Sequence, residues 1–139
     1  MAVLPIAWLV LSMAAGQAAA QTAAPPAAPP PPPVERPAAP YEPQLLRLSE
    51  ILGALAYLRE LCGGEKEGDE LRKQMAALIE AEASSAAHKA RFAGAYNKGF
   101  RGFEQTYHAC TPNAEIVVAR YLAEGLRIAR ETASRFGGG

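Results

Sequence analysis

Three groups of residues carry side chains whose types and spacing could do chemistry. Glu104 and His108 stand four apart, and on a helix that spacing sets a carboxylate beside an imidazole, a pairing suited to proton transfer or to supplying two metal ligands. Tyr107 adjoins them. Arg91, Lys98 and Arg101, together with Lys89, are the charged residues between Ala83 and Phe103, a stretch with no acidic side chain. One face there could meet an acidic partner or an anionic polymer. Cys62 and Cys110 are the only cysteines.

The chemistry open to these groups is narrow. Two ligands do not hold a metal, and His88, the only other histidine, would lie about five turns away on the same helix. The sequence contains no H-E-x-x-H, no G-x-S-x-G and no C-x-x-C. No catalytic residue, metal or cofactor is therefore expected. The run Lys98-Gly99-Phe100-Arg101-Gly102-Phe103 has the basic, glycine and aromatic content of an RNA-binding strand, but its aromatics follow a helical period. The formal charge of the 139 residues is zero, which removes the long-range attraction a nucleic acid partner needs.

The elements that must position these residues read as helices. Residues 1 to 34 carry no charged side chain, and the apolar block Ile6 to Ala15 precedes Ala18-Ala19-Ala20. This fits a signal peptide over 1–20, cleaved before Gln21; the alternative is an uncleaved anchor, weakened by Pro5, Gly16 and Gln17. Nine of the residues 21–40 are proline, so that segment is expected to be a disordered spacer of polyproline II character. A helical domain should then span 41–136, with 137–139 as a flexible tail.

Within that domain Leu45, Leu48, Leu52 and Leu55 recur at helical spacing after Pro43, and Cys62-Gly63-Gly64 stops the first helix. Asp69 is the expected N-cap of a second helix with Leu71, Met75, Leu78 and Ile79 as its buried stripe. Ser84 or Ser85 would cap a third, reaching about Ala109. Thr111-Pro112 opens a fourth, burying Val117, Val118, Tyr121, Leu122, Leu126, Ile128 and Ala129 to varying degrees. No segment alternates as a strand. The fold class expected is all-α, a small antiparallel four-helix bundle.

The third helix draws the most attention. Phe92, Tyr96, Phe100, Phe103 and Tyr107 fall within an arc of roughly 80° when projected at 100° per residue, an aromatic face for the core. Beside it Ala95, Gly99, Gly102 and Thr106 form a ridge of small residues, suited either to close approach of a neighbouring helix or to a kink. Arg91 to Cys110 reads on this basis as the central structural helix. In an exported domain of this size, an even pair of cysteines reads first as a disulfide, against two buried thiols or a reactive one. Cys62–Cys110 would join the ends of helices one and three, which are parallel in an up-down-up-down bundle.

Tyr41-Glu42-Pro43, Ser49-Glu50-Ile51-Leu52-Gly53, Leu58-Arg59-Glu60-Leu61-Cys62-Gly63, Tyr96-Asn97-Lys98-Gly99-Phe100-Arg101, Cys110-Thr111 and Tyr121-Leu122-Ala123-Glu124-Gly125 occur in order. In these motifs the chain resembles an uncharacterised family of small exported alphaproteobacterial proteins, over about residues 41 to 136. The resemblance implies an alphaproteobacterial source and a periplasmic location, and it brings no activity, ligand or catalytic residue with it. The functional expectation is a nonenzymatic periplasmic module that binds an envelope protein or polymer through Arg91, Lys98 and Arg101. Membrane contact is expected only if the signal stays uncleaved. The alternative is a small-ligand or hydrolytic protein with a pocket near Glu104, His108 and Tyr107.

Overall fold

The computed structural model describes residues 26–31 and 36–138. The expected signal peptide at 1–20 and part of the expected spacer lie outside them. The chain divides into two units, Met1–Pro32 and Pro33–Gly139. In the first, residues 26–31 have no regular secondary structure and are exposed. The second is all-helical among its described residues: α1 (Glu42–Gly63), α2 (Glu65–Glu82), α3 (Ala86–Glu104) and α4 (Pro112–Phe136).

The bundle is organised around α1, not around α3 as its aromatic face suggests. Apolar residues surround α1 on every side, and a helix of that kind is stable only when covered all round. Ile51, Ala54, Leu55, Ala56 and Leu58 are almost fully buried. All three other helices approach α1 closely at backbone level, whereas α2 and α3 meet little and α4 approaches α1 alone among the described helices. Ile51, Leu55 and Leu58 pack with Ala114, Val118 and Ile128 of α4; Leu45 and Leu52 pack with Met75 of α2 and Phe92 of α3.

Buried glycines set these crossings. A methyl group on Gly53 would overlap the Tyr96 carbonyl of α3, and one on Gly99 would overlap the Glu50 carbonyl of α1. The two backbones therefore touch, an approach that only paired glycines allow and that suits Cα–H···O contacts. Gly68 brings α2 against the Ala56 carbonyl, 2.9 Å from where a Cβ would stand, and Gly125 brings α4 against Ile51 at 3.3 Å. Of the expected ridge on α3, Gly99 makes the close approach and Gly102 faces open space.

The helix ends follow local chemistry, with two corrections. Gly64, at φ +95°, both ends α1 and precedes α2, a backbone conformation open essentially to glycine. Helix α2 therefore starts at Glu65, four residues before the expected cap Asp69, with Glu65 and Glu67 complementing the positive helix end. Asp69 lies inside α2 and accepts a hydrogen bond from Arg72. Ser85 and Thr111 cap α3 and α4 as expected, accepting from the His88 and Ala114 amides. Helix α3 stops at Glu104, short of Ala109, because the Thr106 and Tyr107 amides both turn back to the Phe103 carbonyl. The Tyr107 carbonyl then accepts from the Tyr57 hydroxyl, and the chain reaches the disulfide Cys62–Cys110.

Helix α4 is held to α1 by a paired fork. Arg47 Nε and Nη2 donate to the two Glu124 carboxylate oxygens at 2.8 and 3.1 Å. That hydrogen bonding holds the Glu124 carboxyl below its usual value and raises the Arg47 guanidinium above its own. A carboxylate depressed in the fold stabilises it above the unfolded-chain value, and the contribution is lost as pH falls through the lower folded value. Wild type should therefore exceed Glu124→Gln in urea midpoint at pH 7. The gap should close as pH drops below about 4, the ordinary carboxylate range.

Candidate functional site

The expected basic surface is tied down along much of its length. Arg91 Nε donates to the buried Glu42 carboxylate at 3.0 Å, and Lys98 Nζ lies 3.3 Å from Glu50. Both carboxylates belong to α1, so two of the three cations join α3 to the central helix. Arg101 remains exposed and faces the space between α2 and α3. The sequence hid these pairings because the partners are some fifty residues away in the chain.

Glu104 and His108 do not share a helix face. Glu104 ends α3, while His108 lies in the exposed 105–111 connection, so the i, i+4 spacing loses its meaning. Tyr107 is half-buried, stacked beside Phe103 at 5.9 Å and accepting at its hydroxyl from Asn113. These interactions fasten the α3–α4 connection. No cluster of metal-ligand types occurs among the described residues.

The other histidine has a more enclosed setting. His88 Nε2 stands 3.5 Å from Glu42 Oε2, while its Nδ1 faces the Ser84 amide and hydroxyl at 3.3 and 3.2 Å. The order hydroxyl, imidazole, carboxylate has the connectivity of a nucleophilic triad. Here, however, the imidazole accepts the Ser84 amide just before the N-terminus of α3, in the manner of the reciprocal side chain in a capping box. The arrangement anchors the start of α3 to the start of α1.

Two grooves flank α2. The first, about 690 Å³, lies between α2 and α3 and is lined by Arg72, Met75, Tyr96, Asn97, Phe100, Arg101 and Glu104. It gathers Asn97, Arg101 and Glu104, three polar residues of α3. Arg72 is shared by Glu60 and Asp69, which raise its guanidinium above the usual value. Burial pushes the Tyr96 phenol upward, against the pull of Arg72, and its hydroxyl makes no hydrogen bond of normal geometry.

The second groove, about 400 Å³, lies between α2 and α4 with α1 as its floor. Leu48, Leu52 and Leu55 form the bottom, Leu71 and Leu78 one wall, Leu122 and Leu126 the other, and Gln74 and Tyr121 are the lining residues that carry polar atoms. Leu122 and Leu126, expected in the core, are 45% and 51% exposed. They face outward because α2 and α4 never close over α1. Lesser clefts extend the groove at both ends, sharing Leu122 with one that reaches Cys62 and Ala129 with one that reaches Phe136. The sequence signal was present: on α4, Ala119, Leu122, Leu126, Ala129, Ala133 and Phe136 repeat at 3 and 4 spacing, one residue on from the stripe that faces α1. Two adjacent stripes on one helix mean two partners.

A family profile described as a protein of unknown function (DUF2385) matches residues 40–136, the whole helical region. No curated protein and no solved structure matches the chain.

Proposed function

The chain belongs to the DUF2385 family, and we propose that it is a nonenzymatic interaction module which seats an apolar helical face in the groove between α2 and α4. The observation that carries this reading is the groove itself: leucines line its floor and both walls, and above the buried Leu52 and Leu55 of the floor the wall residues Leu122 and Leu126 stand about half exposed. Exposed apolar surface of this continuity marks a contact site, and helices lodge in such grooves through side chains at i, i+3, i+4 and i+7. The groove supplies apolar contact, with no nucleophile or acid–base pair among its lining residues.

The reading includes a periplasmic setting in an alphaproteobacterium. The apolar block Ile6 to Ala15, the alanines before Gln21 and the proline-rich spacer support export, and a disulfide joining both cysteines suits an oxidising compartment. A photocrosslinking residue at Gln74 tests the groove in cells. Adducts should form there and vanish with Leu126→Glu, while the same probe at exposed Lys73 stays unreacted. Absence of adducts at Gln74 would remove the groove from consideration.

A second reading rests on Tyr96. The half-buried Tyr96, whose enclosed hydroxyl makes no hydrogen bond of normal geometry, stands beside Asn97 and Arg101 in the α2–α3 cleft, a setting that suits a small polar ligand. Calorimetry with periplasmic metabolites against wild type and Tyr96→Phe checks it: heat present in the first and lost in the second supports the cleft.

A further inference from the structure

We infer that the occupant of the α2–α4 groove is a second copy of this chain, docked through α4 in antiparallel orientation. The inference rests on the groove reading above and adds the identity of the partner. Its basis is the pattern of sizes along the exposed stripe of α4. Laid against itself in the opposite direction, with the two-fold axis between Arg127 and Ile128, the stripe pairs Ala119 with Phe136, Leu122 with Ala133 and Leu126 with Ala129 of the second copy.

Every large side chain then opposes an alanine. That is the condition for two helices to interdigitate closely, and a self-complementary patch on one surface is what a two-fold dimer requires. In the monomer Phe136 is 42% exposed and Ile116, on the solvent side of the same seam, is 66% exposed. The seam is continuous with the leucine-walled groove, so burying one buries the other.

Charge follows the same direction. The far half of α4 carries Arg130, exposed and in no ion pair among the described residues. The groove end that would receive it carries Glu67 and Glu70 of α2 and Glu115 of α4 beside Leu122 and Arg59; Glu67 pairs with Arg59 and Glu70 loosely with Lys73 at 3.9 Å, so the excess of negative charge there is small and rests on Glu115. An antiparallel partner brings its Arg130 to this end twice, once in each half of the dimer. A parallel partner would set each Arg130 beside its like, which costs free energy.

Sedimentation velocity on the purified chain, across about a hundredfold range of concentration, should show a species of twice the chain mass. Leu126→Glu should return it to the single mass with its far-UV circular dichroism unchanged, since Leu126 is half exposed. Arg130→Glu should weaken the dimer at least tenfold, with Glu70→Arg in the same chain restoring part of the loss. The pair Leu126→Cys and Ala129→Cys should yield a covalent dimer under mild oxidation. A chain that stays at single mass at all concentrations overturns the inference, and if Gln74 still gives adducts of other mass in cells the groove reading survives it. A dimer indifferent to Leu126→Glu, or one that the cysteine pair fails to trap, also overturns it.

Discussion

Gly53→Ala and Gly99→Ala should each destabilise the fold by about 3 kcal/mol or more, at or beyond the upper end of the usual range for overpacking. The added methyl in each case falls on a backbone carbonyl of the facing helix, Tyr96 for Gly53 and Glu50 for Gly99. A side chain can rotate aside, whereas a helix carbonyl cannot without moving its helix. Separating α1 from α3 would also loosen Phe92 and Tyr57 from their contacts across the same interface. Gly94→Ala and Gly102→Ala provide the opposite result, since a methyl at either meets nothing within 4 Å. There the helical preference of alanine acts alone and should stabilise by about 0.5–1 kcal/mol. Urea unfolding followed by far-UV circular dichroism distinguishes all four. Near-equal midpoints would show that α1 and α3 do not touch at these glycines.

The second large effect is expected from opening the disulfide. Cys62 and Cys110 are separated by 48 residues, and in the loop-entropy treatment a cross-link of that span stabilises a domain by roughly 4 kcal/mol. The bond spans α2 and α3 entirely, so reduction frees both from a closed loop in the unfolded chain. The Cys62→Ser, Cys110→Ser double variant should unfold at a much lower urea concentration than wild type, with helical content in buffer retained or partly lost. Intact mass should rise by two hydrogens on reduction of the wild type. An unchanged mass would remove the bond, and an unchanged midpoint would remove its contribution.

The helices were legible because their signals are local. Pro43, Thr111-Pro112 and Ser85 mark starts, and Cys62-Gly63-Gly64 marks a stop, without reference to any neighbour. The cysteine pairing was legible because two cysteines allow one intramolecular bond. Asp69 misled because it is a good capping residue near the right place, while Gly64 needs no cap side chain to begin a helix. The end of α3 misled because an aromatic period continues to Tyr107 after the hydrogen bonding has turned.

What the sequence left hidden is which helix sits in the middle. Aromatic mass drew attention to α3, yet Tyr96, Phe100 and Phe103 are only half-buried. The better signal was the absence of a polar face on α1 between Leu45 and Leu58, interrupted by Arg47, Ser49 and Glu50. Ser49 is buried and bonds to the Leu45 carbonyl, while Arg47 and Glu50 reach out to partners on α4 and α3. Likewise the basic run looked like a surface because its acidic counterparts Glu42 and Glu50 lie on another helix. The open groove was readable as the second stripe of α4, but only as an unmatched face. Its width depends on how far α2 and α4 stand apart, which no local pattern encodes.

The position of α1 also governs how this sequence can drift. Within α1 only Pro43, Gln44 and Gly63 are exposed; every other residue answers to at least one neighbour. A substitution there must be met by change on a second helix, so variation in α1 is expected to be sparse and coupled. The outer faces of α2 and α4 carry no such obligation, except along the leucine groove. Among divergent members of the family, then, an α4 that keeps its inner stripe while losing Leu122 and Leu126 would mark a lineage in which the fold has outlived its contact.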